Sequence, residues 1–211
     1  MSKHNALIYL LITLPGSSSG IGLATLRRVN NHGGKVFACD LNPLPEPEAS
    51  SVPFMKVDVT SWKEQLELFK AAQKQYGKID QVFANAGIAP SMTLLEDDVD
   101  ENGDLLPPKQ NAINVNFIGC LYTVKLAIHY LRKNPNGGSI VMSASGSSFS
   151  RFPGADYSVF YSSLVVLVLI QSKQSPNTPS SASSALSTRP STLSCLFAST
   201  PSHPPGQIHL L

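Results

Sequence analysis

Gly16, Gly20 and Gly22 frame Ser17-Ser18-Ser19 and Ile21 in a G-x-x-x-G-x-G run. Glycine adopts backbone conformations closed to other residues and lets a ligand approach the main chain closely. The run follows an apolar segment, residues 6–12, and precedes Leu23-Ala24-Thr25-Leu26-Arg27-Arg28-Val29, so it reads as strand, turn and helix. A helix starting near Gly20 would point its unpaired amides and positive dipole end outward, the chemistry that receives a pyrophosphate. Asp40 ends a second short apolar stretch, Lys35-Val36-Phe37-Ala38-Cys39-Asp40, 18 residues past Gly22. A carboxylate near that spacing accepts from the ribose hydroxyls of a dinucleotide, and it repels a 2′-phosphate, which favours NAD over NADP. The competing reading is an aspartate that merely ends a strand.

Further strands and helices are needed to hold these groups. Residues 54–59 read as a third strand running out at Asp58, and Ser61-Trp62-Lys63-Glu64 has capping-box spacing. Trp62, Leu66, Phe69, Ala72 and Tyr76 recur on one face of the helix that follows, which predicts core. Residues 79–84 form a fourth strand that ends in Asn85-Ala86-Gly87. A long helix follows Asn114-Val115-Asn116, with Phe117, Leu121, Val124, Ile128 and Leu131 on one face. Residues 139–142 form a fifth strand after Gly137-Gly138, and Ser143-Ala144-Ser145 lies at its carboxyl end. Strands alternating with helices in this rhythm predict an α/β fold, a doubly wound parallel sheet of Rossmann type. Gly16, Asp40, Asp58 and Asn85 then share one rim, the carboxyl ends of the strands, where open α/β sheets bind ligands.

Composition excludes several classes. The 211 residues include 16 Lys and Arg against 14 Asp and Glu, and all the acids lie at or before Asp156. The net +2 therefore belongs to the tail and not to a nucleic-acid groove. Cys39, Cys120 and Cys195 have neither disulfide nor zinc spacing, which points to a reducing, cytoplasmic setting. Asp98-x-Asp100-x-Asn102-Gly103 matches half of a calcium loop, but Lys109 stands where the bidentate glutamate is needed, so no metal is expected. Lys3 and residues 6–14 have the outline of a signal peptide, yet the glycine run follows at once with no small-x-small cleavage site. No apolar run approaches the roughly 18 residues of a membrane span. Residues 171–205 are mostly Ser, Thr and Pro, which predicts a disordered tail. A mucin-like stalk has such a composition too, but nothing in the sequence supports secretion.

Over roughly residues 6–159 the chain resembles the short-chain dehydrogenase/reductase family. The resemblance rests on the glycine loop, Asp58-Val59, Asn85-Ala86-Gly87, Asn114-Val115-Asn116, Ser145 and Tyr157, in that order. The surroundings of Tyr157 and the acidic insertion resemble fungal members, which often act in secondary metabolism. The resemblance implies an NAD(P)-dependent oxidoreductase moving a hydride between nicotinamide and a carbonyl or alcohol carbon of a small molecule, with no nucleic-acid or membrane partner. Gly16, Ser18, Gly20, Ile21 and Gly22 would hold phosphates and ribose, Asp40 the adenosine ribose, Asp58 the adenine, and Asn85 the nicotinamide side. Tyr157 would exchange the substrate proton, Ser145 would hydrogen-bond the reacting oxygen, and Asn116 would position a water in the relay. Lys125 matches a basic position sometimes assigned to the cofactor, and a surface lysine is the equal alternative.

Two departures from the family pattern bear on activity. Leu14-Pro15 separates Thr13 from Gly16, whereas the family loop opens Thr-Gly. Tyr161 occupies the position, one helical turn past Tyr157, of the family lysine that lowers the tyrosine pKa. Tyrosine ordinarily titrates near about 10. A cation at about 4 Å, with an effective dielectric of about 20, favours ionisation by roughly 4 kcal/mol. The likeness stops near Val159, which predicts an incomplete domain over residues 1–163, a sheet truncated after its fifth strand, and a tail over 164–211. An altered reading frame or splice is the expected origin. A family-type homo-oligomer would have an incomplete interface helix, and the rival reading is a catalytically inactive nucleotide-binding or interaction protein.

Overall fold

The computed structural model describes residues 10–13, 17–89, 97–145 and 195–198. Gly16, Leu14, Pro15, Tyr157 and Tyr161 lie outside them, as do most of the expected tail and the proposed break in likeness near Val159. In chain order the elements are β1 (Leu10–Thr13), α1 (Gly20–Asn31), β2 (Lys35–Asp40), α2 (Glu48–Ser51), β3 (Phe54–Lys56), α3 (Trp62–Tyr76) and β4 (Gln81–Ala84). A short α4 (Asn111–Ile113) leads into a π-helical turn, Asn114–Gly119, and then α5 (Cys120–Lys133), β5 (Ser139–Ser145) and β6 (Cys195–Ala198). All the pairings are parallel, in the order β3-β2-β1-β4-β5-β6. The order reverses between β1 and β4, the switch point of a doubly wound sheet.

Strand alternation explains the two-layered core. Val36 and Ala38 of β2 and Phe83 of β4 join Leu26 of α1 on one face. Phe37, Cys39, Val82 and Ala84 face the other way, onto Leu68, Phe69 and Ala72 of α3 and Leu126 and Ala127 of α5. Fully burying a side chain such as Phe69 contributes roughly 2–3 kcal/mol.

The structure corrects the expected helix faces. On α3 the buried residues are Gln65, Leu68, Phe69 and Ala72. Trp62 is 41% exposed, its ring set edge-on to Tyr122 at 5.3 Å. The core face is displaced because a glutamine, with its amide satisfied, occupies an interior position. On α5 the buried residues are Cys120, Thr123, Leu126, Ala127, Tyr130 and Leu131, and Leu121 is 38% exposed. That helix is apolar on several sides, so periodicity could not choose its inner face. The 23-residue stretch Asn111–Lys133 is also long and apolar enough, by length and composition alone, to cross a membrane, contrary to expectation. Here it packs against the sheet as a core helix.

The sheet differs from expectation at one edge. The sequence predicts a sheet that ends at its fifth strand, whereas Cys195–Ala198 pairs with β5 as β6, from Met142↔Cys195 to Ser145↔Ala198. Cys195-Leu196-Phe197-Ala198 is an apolar run within a Ser/Thr/Pro-rich stretch, and the edge of β5 offers main-chain groups for pairing.

Candidate functional site

Residues 17–19 connect to α1, which starts at Gly20 as its glycine spacing predicts. Gly20 has φ +51°, a left-handed conformation, and a Cβ there would meet nothing within 4 Å. Ser19 is the N-cap but makes no side-chain cap bond, and the first turn of α1 contains no acid. The opening amides of a helix have no intrahelical acceptor. Among the described residues this end is therefore uncapped and positively polarised, and its chemistry fits a pyrophosphate. Ser17 is buried and anchors the loop from below, donating its hydroxyl to the Cys39 carbonyl at 2.7 Å. Ile21 is partly exposed on the first turn, and Gly22 is buried.

Asp40 stands beside this cradle at the end of β2. Its carboxylate is largely buried and accepts from the Ser18 amide at 3.1 Å and the Asn42 amide at 3.0 Å. The Ser18 hydroxyl also donates to the Asn42 carbonyl at 3.2 Å, so the glycine loop and the β2–α2 connection form one unit. Arg27 is held in two bonds by Glu48, at 2.8 and 3.0 Å. Burial, and secondarily the adjacent Asp40 charge, pushes the Cys39 thiol well above its ordinary range.

Asp58 follows β3. Its carboxylate accepts from the amide and hydroxyl of Thr60, each at 2.8 Å, which shapes the turn into α3. The expected capping box forms only in part. Ser61 accepts from the Glu64 amide at 3.3 Å, but the Glu64 carboxylate takes the Asp58 amide at 2.8 Å.

On the other side of the switch point, Asn85 Oδ1 accepts from the Ser143 hydroxyl at 2.7 Å. Ala84 pairs with Met142, so Asn85 and Ser143 extend that register through side chains. Ser145 lies two residues on, at the end of β5. Asn116, 1% exposed in the π-helical turn, accepts from the Ile88 amide at 2.8 Å and donates to the Ile88 carbonyl at 2.9 Å. One Nδ2 hydrogen lies outside that pair.

Ser18, Gly20, Ile21, Gly22, Asp40, Asp58, Asn85, Asn116 and Ser145 thus sit at or beside the carboxyl ends of strands. Lys125 does not join them. It is exposed midway along α5, roughly 12 Å of helix beyond Asn116. The helix runs on to Asn134, which binds Ile79 and Asp80 before β4 begins. Sequence reading missed Ser17, Ser143, Ile88 and Gln65. Ser143 was legible as the strand neighbour of Ser145 on the same face; Ile88 contributes only backbone and leaves no signal in residue type.

The arrangement has a counterpart among known proteins. A family model described as short chain dehydrogenase matches residues 10–163. The chain belongs to the short-chain dehydrogenase family. This is a family of oxidoreductases, and its fungal members include close matches. The chain is 42% identical over 152 residues to the short-chain dehydrogenase/reductase ascJ of Acremonium egyptiacum, covering 70% of this chain and 51% of that protein. It is 39% identical over 160 residues to prx4 of Penicillium roqueforti, covering 75% and 47%. The chain thus spans about half the length of these relatives. Its fold is similar to the ligand-free aldohexose dehydrogenase of Thermoplasma acidophilum, with a TM-score of 0.62 at 24% identity, covering 77% of this chain and 60% of that one.

Proposed function

We propose that this chain binds NAD in preference to NADP and belongs to an oxidoreductase moving a hydride between the nicotinamide and a carbonyl or alcohol carbon of a small molecule. Its proposed setting is cytoplasmic, in the secondary metabolism of a fungus. The observation that carries the cofactor reading is Asp40, a carboxylate held at the strand rim by the amides of Ser18 and Asn42. The ribose hydroxyls can donate to it, whereas a 2′-phosphate would place two anions together. The amides opening α1 would receive the pyrophosphate, Asp58 would serve the adenine and Asn85 the nicotinamide side.

When bound, the nicotinamide supplies or accepts the hydride. Tyr157 is proposed to exchange the proton, Ser145 to hydrogen-bond the reacting oxygen, and Asn116 to hold a relay water through its remaining Nδ2 hydrogen. Tyr161 cannot provide the cation that would favour the Tyr157 phenolate, so turnover by this chain should be slow. The test follows nicotinamide absorbance with a panel of alcohols and ketones. The expected result is weak turnover that Tyr157→Phe removes and Tyr161→Lys alone improves little. Rapid turnover by the unmodified chain, abolished by Tyr157→Phe, would show that the cation at position 161 is not required. Weak turnover that survives Tyr157→Phe would contradict the role given to Tyr157.

A further inference from the structure

Gln65 is fully buried in α3, yet all its polar capacity is directed at two other segments. Its Nε2 donates to the Val59 carbonyl at 2.6 Å and to the Gly119 carbonyl at 2.9 Å. Its Oε1 lies 2.8 Å from the Thr123 hydroxyl. A glutamine amide has two hydrogens, and a threonine hydroxyl has one. The two Nε2 hydrogens serve the two carbonyls, and the single Thr123 hydrogen is shared between Oε1 and the Gly119 carbonyl, each 2.8 Å away. The reverse amide orientation would set Oε1 against two carbonyl oxygens, so the network fixes the side chain.

Each partner of Gln65 adjoins a different half of the rim. Val59 follows Asp58. Gly119 closes the π-helical turn that carries Asn116, where the wide i→i+5 pattern interrupts the ordinary helix ladder. The two segments are also in close contact, since a Cβ on Gly119 would come within 2.8 Å of Val59 Cγ2. At this junction the Gly119 carbonyl has the Thr123 hydroxyl of its own helix at 2.8 Å and the Gln65 amide of a neighbouring helix at 2.9 Å.

We infer that Gln65 is a positioning residue, fixing the turn at 114–119 so that Asn116 stays paired with the Ile88 backbone, and tying that turn to the segment beside Asp58. The inference rests on the placement of Asn116 in the reactive site proposed above. Its consequence is local. Loss of the Gln65 donors should loosen the Asn116–Ile88 pair before it loosens the central sheet.

The test is amide hydrogen exchange on the isotopically labelled full chain without cofactor. In Gln65→Leu, exchange at Ile88 should quicken by about tenfold or more relative to Val82 and Phe83 of β4. Thr123→Val, which removes the hydroxyl placed 2.8 Å from both Oε1 and the Gly119 carbonyl but keeps both Gln65 amide donors, should give a smaller change of the same pattern and guards against a Gln65 variant that fails to fold. A uniform loss of protection, or Ile88 unchanged in a folded Gln65→Leu, would overturn the inference. Adding NAD to the unmodified chain separates the two proposals. Failure to bind would sink the cofactor reading and leave the Gln65–Ile88 result standing.

Discussion

The two ends of the parallel strands are built on opposite plans. At the amino edge polar groups close on one another. Asn134 donates to the Ile79 carbonyl at 2.9 Å and to Asp80 at 2.7 Å, Lys78 pairs with Asp80 at 2.9 Å, and the Tyr76 hydroxyl donates to the Val36 carbonyl at 3.0 Å. Backbones also touch there. A Cβ on Gly138 would overlap the Asp80 carbonyl oxygen and come within 2.5 Å of Leu131 Cδ2. At the carboxyl rim, among the described residues, Ser19 makes no side-chain cap and a Cβ on Gly20 would meet nothing within 4 Å. Among the described residues the amino-edge side chains are turned onto one another and onto backbone, with Asp80 Oδ2 buried without a partner, while the opening of α1 at the other edge carries no side-chain cap.

Matched glycine substitutions test this contrast most strongly. Gly138→Ala should destabilise the chain by about 1–3 kcal/mol, because the Asp80 main chain must move. Gly20→Ala has space for its methyl but must hold a positive φ, at about 1–2 kcal/mol. Denaturant unfolding compares the two, and NAD titration provides the second axis. Gly20→Ala should weaken binding, while a Gly138→Ala sample that remains folded should bind normally. The reverse pattern would mean that the ends have been misassigned.

A smaller effect is expected at the Arg27–Glu48 contact, a closed pair close to the open rim. The hydrogen bonds from Arg27 hold the Glu48 carboxyl below its ordinary range. A group depressed on folding contributes stability above its unfolded pKa, and that contribution disappears as pH falls through the lower folded value. Glu48→Gln should therefore flatten part of the stability loss below about pH 4.5, while changing the slope little near neutrality. An identical acid profile for the variant would remove the pair from the account.

The smallest effect concerns the thiols. Burial pushes Cys120 up to about 12 and Cys39 well above its ordinary range. The thiolate is the reactive form. Mass spectrometry after iodoacetamide at mildly alkaline pH should find both unmodified in the native chain and alkylated in denaturant. Rapid native labelling of Cys39 would show that the floor beneath the glycine loop opens readily.

Much of this plan was legible because the rim is written in local signals. The glycine spacing located the start of α1, and Lys35–Asp40 was bounded on both sides as a strand. Asp40, Asp58 and Asn85 are legible as strand-end groups because each directly follows a short apolar run. What escaped notice depends on distant parts of the chain. Gln65 reads as a polar interruption on an amphipathic helix, and its meaning requires Gly119, 54 residues away. The inner face of α5 was unreadable because more than one of its sides is apolar. Lys125 had the right residue type on the right helix, and only the helix's direction removed it from the rim. The pairing of β6 with β5 depends on a contact across 50 or more residues, which no local pattern encodes.

The central claim is that Asp40 makes the rim a site for NAD rather than NADP, and calorimetric titration of the full chain with both cofactors tests it most directly. The account predicts that NAD binds more tightly and that Asp40→Ala narrows the difference, chiefly by relieving the repulsion of the 2′-phosphate. Tighter binding of NADP to the unmodified chain, or a preference for NAD that Asp40→Ala leaves intact, would contradict it.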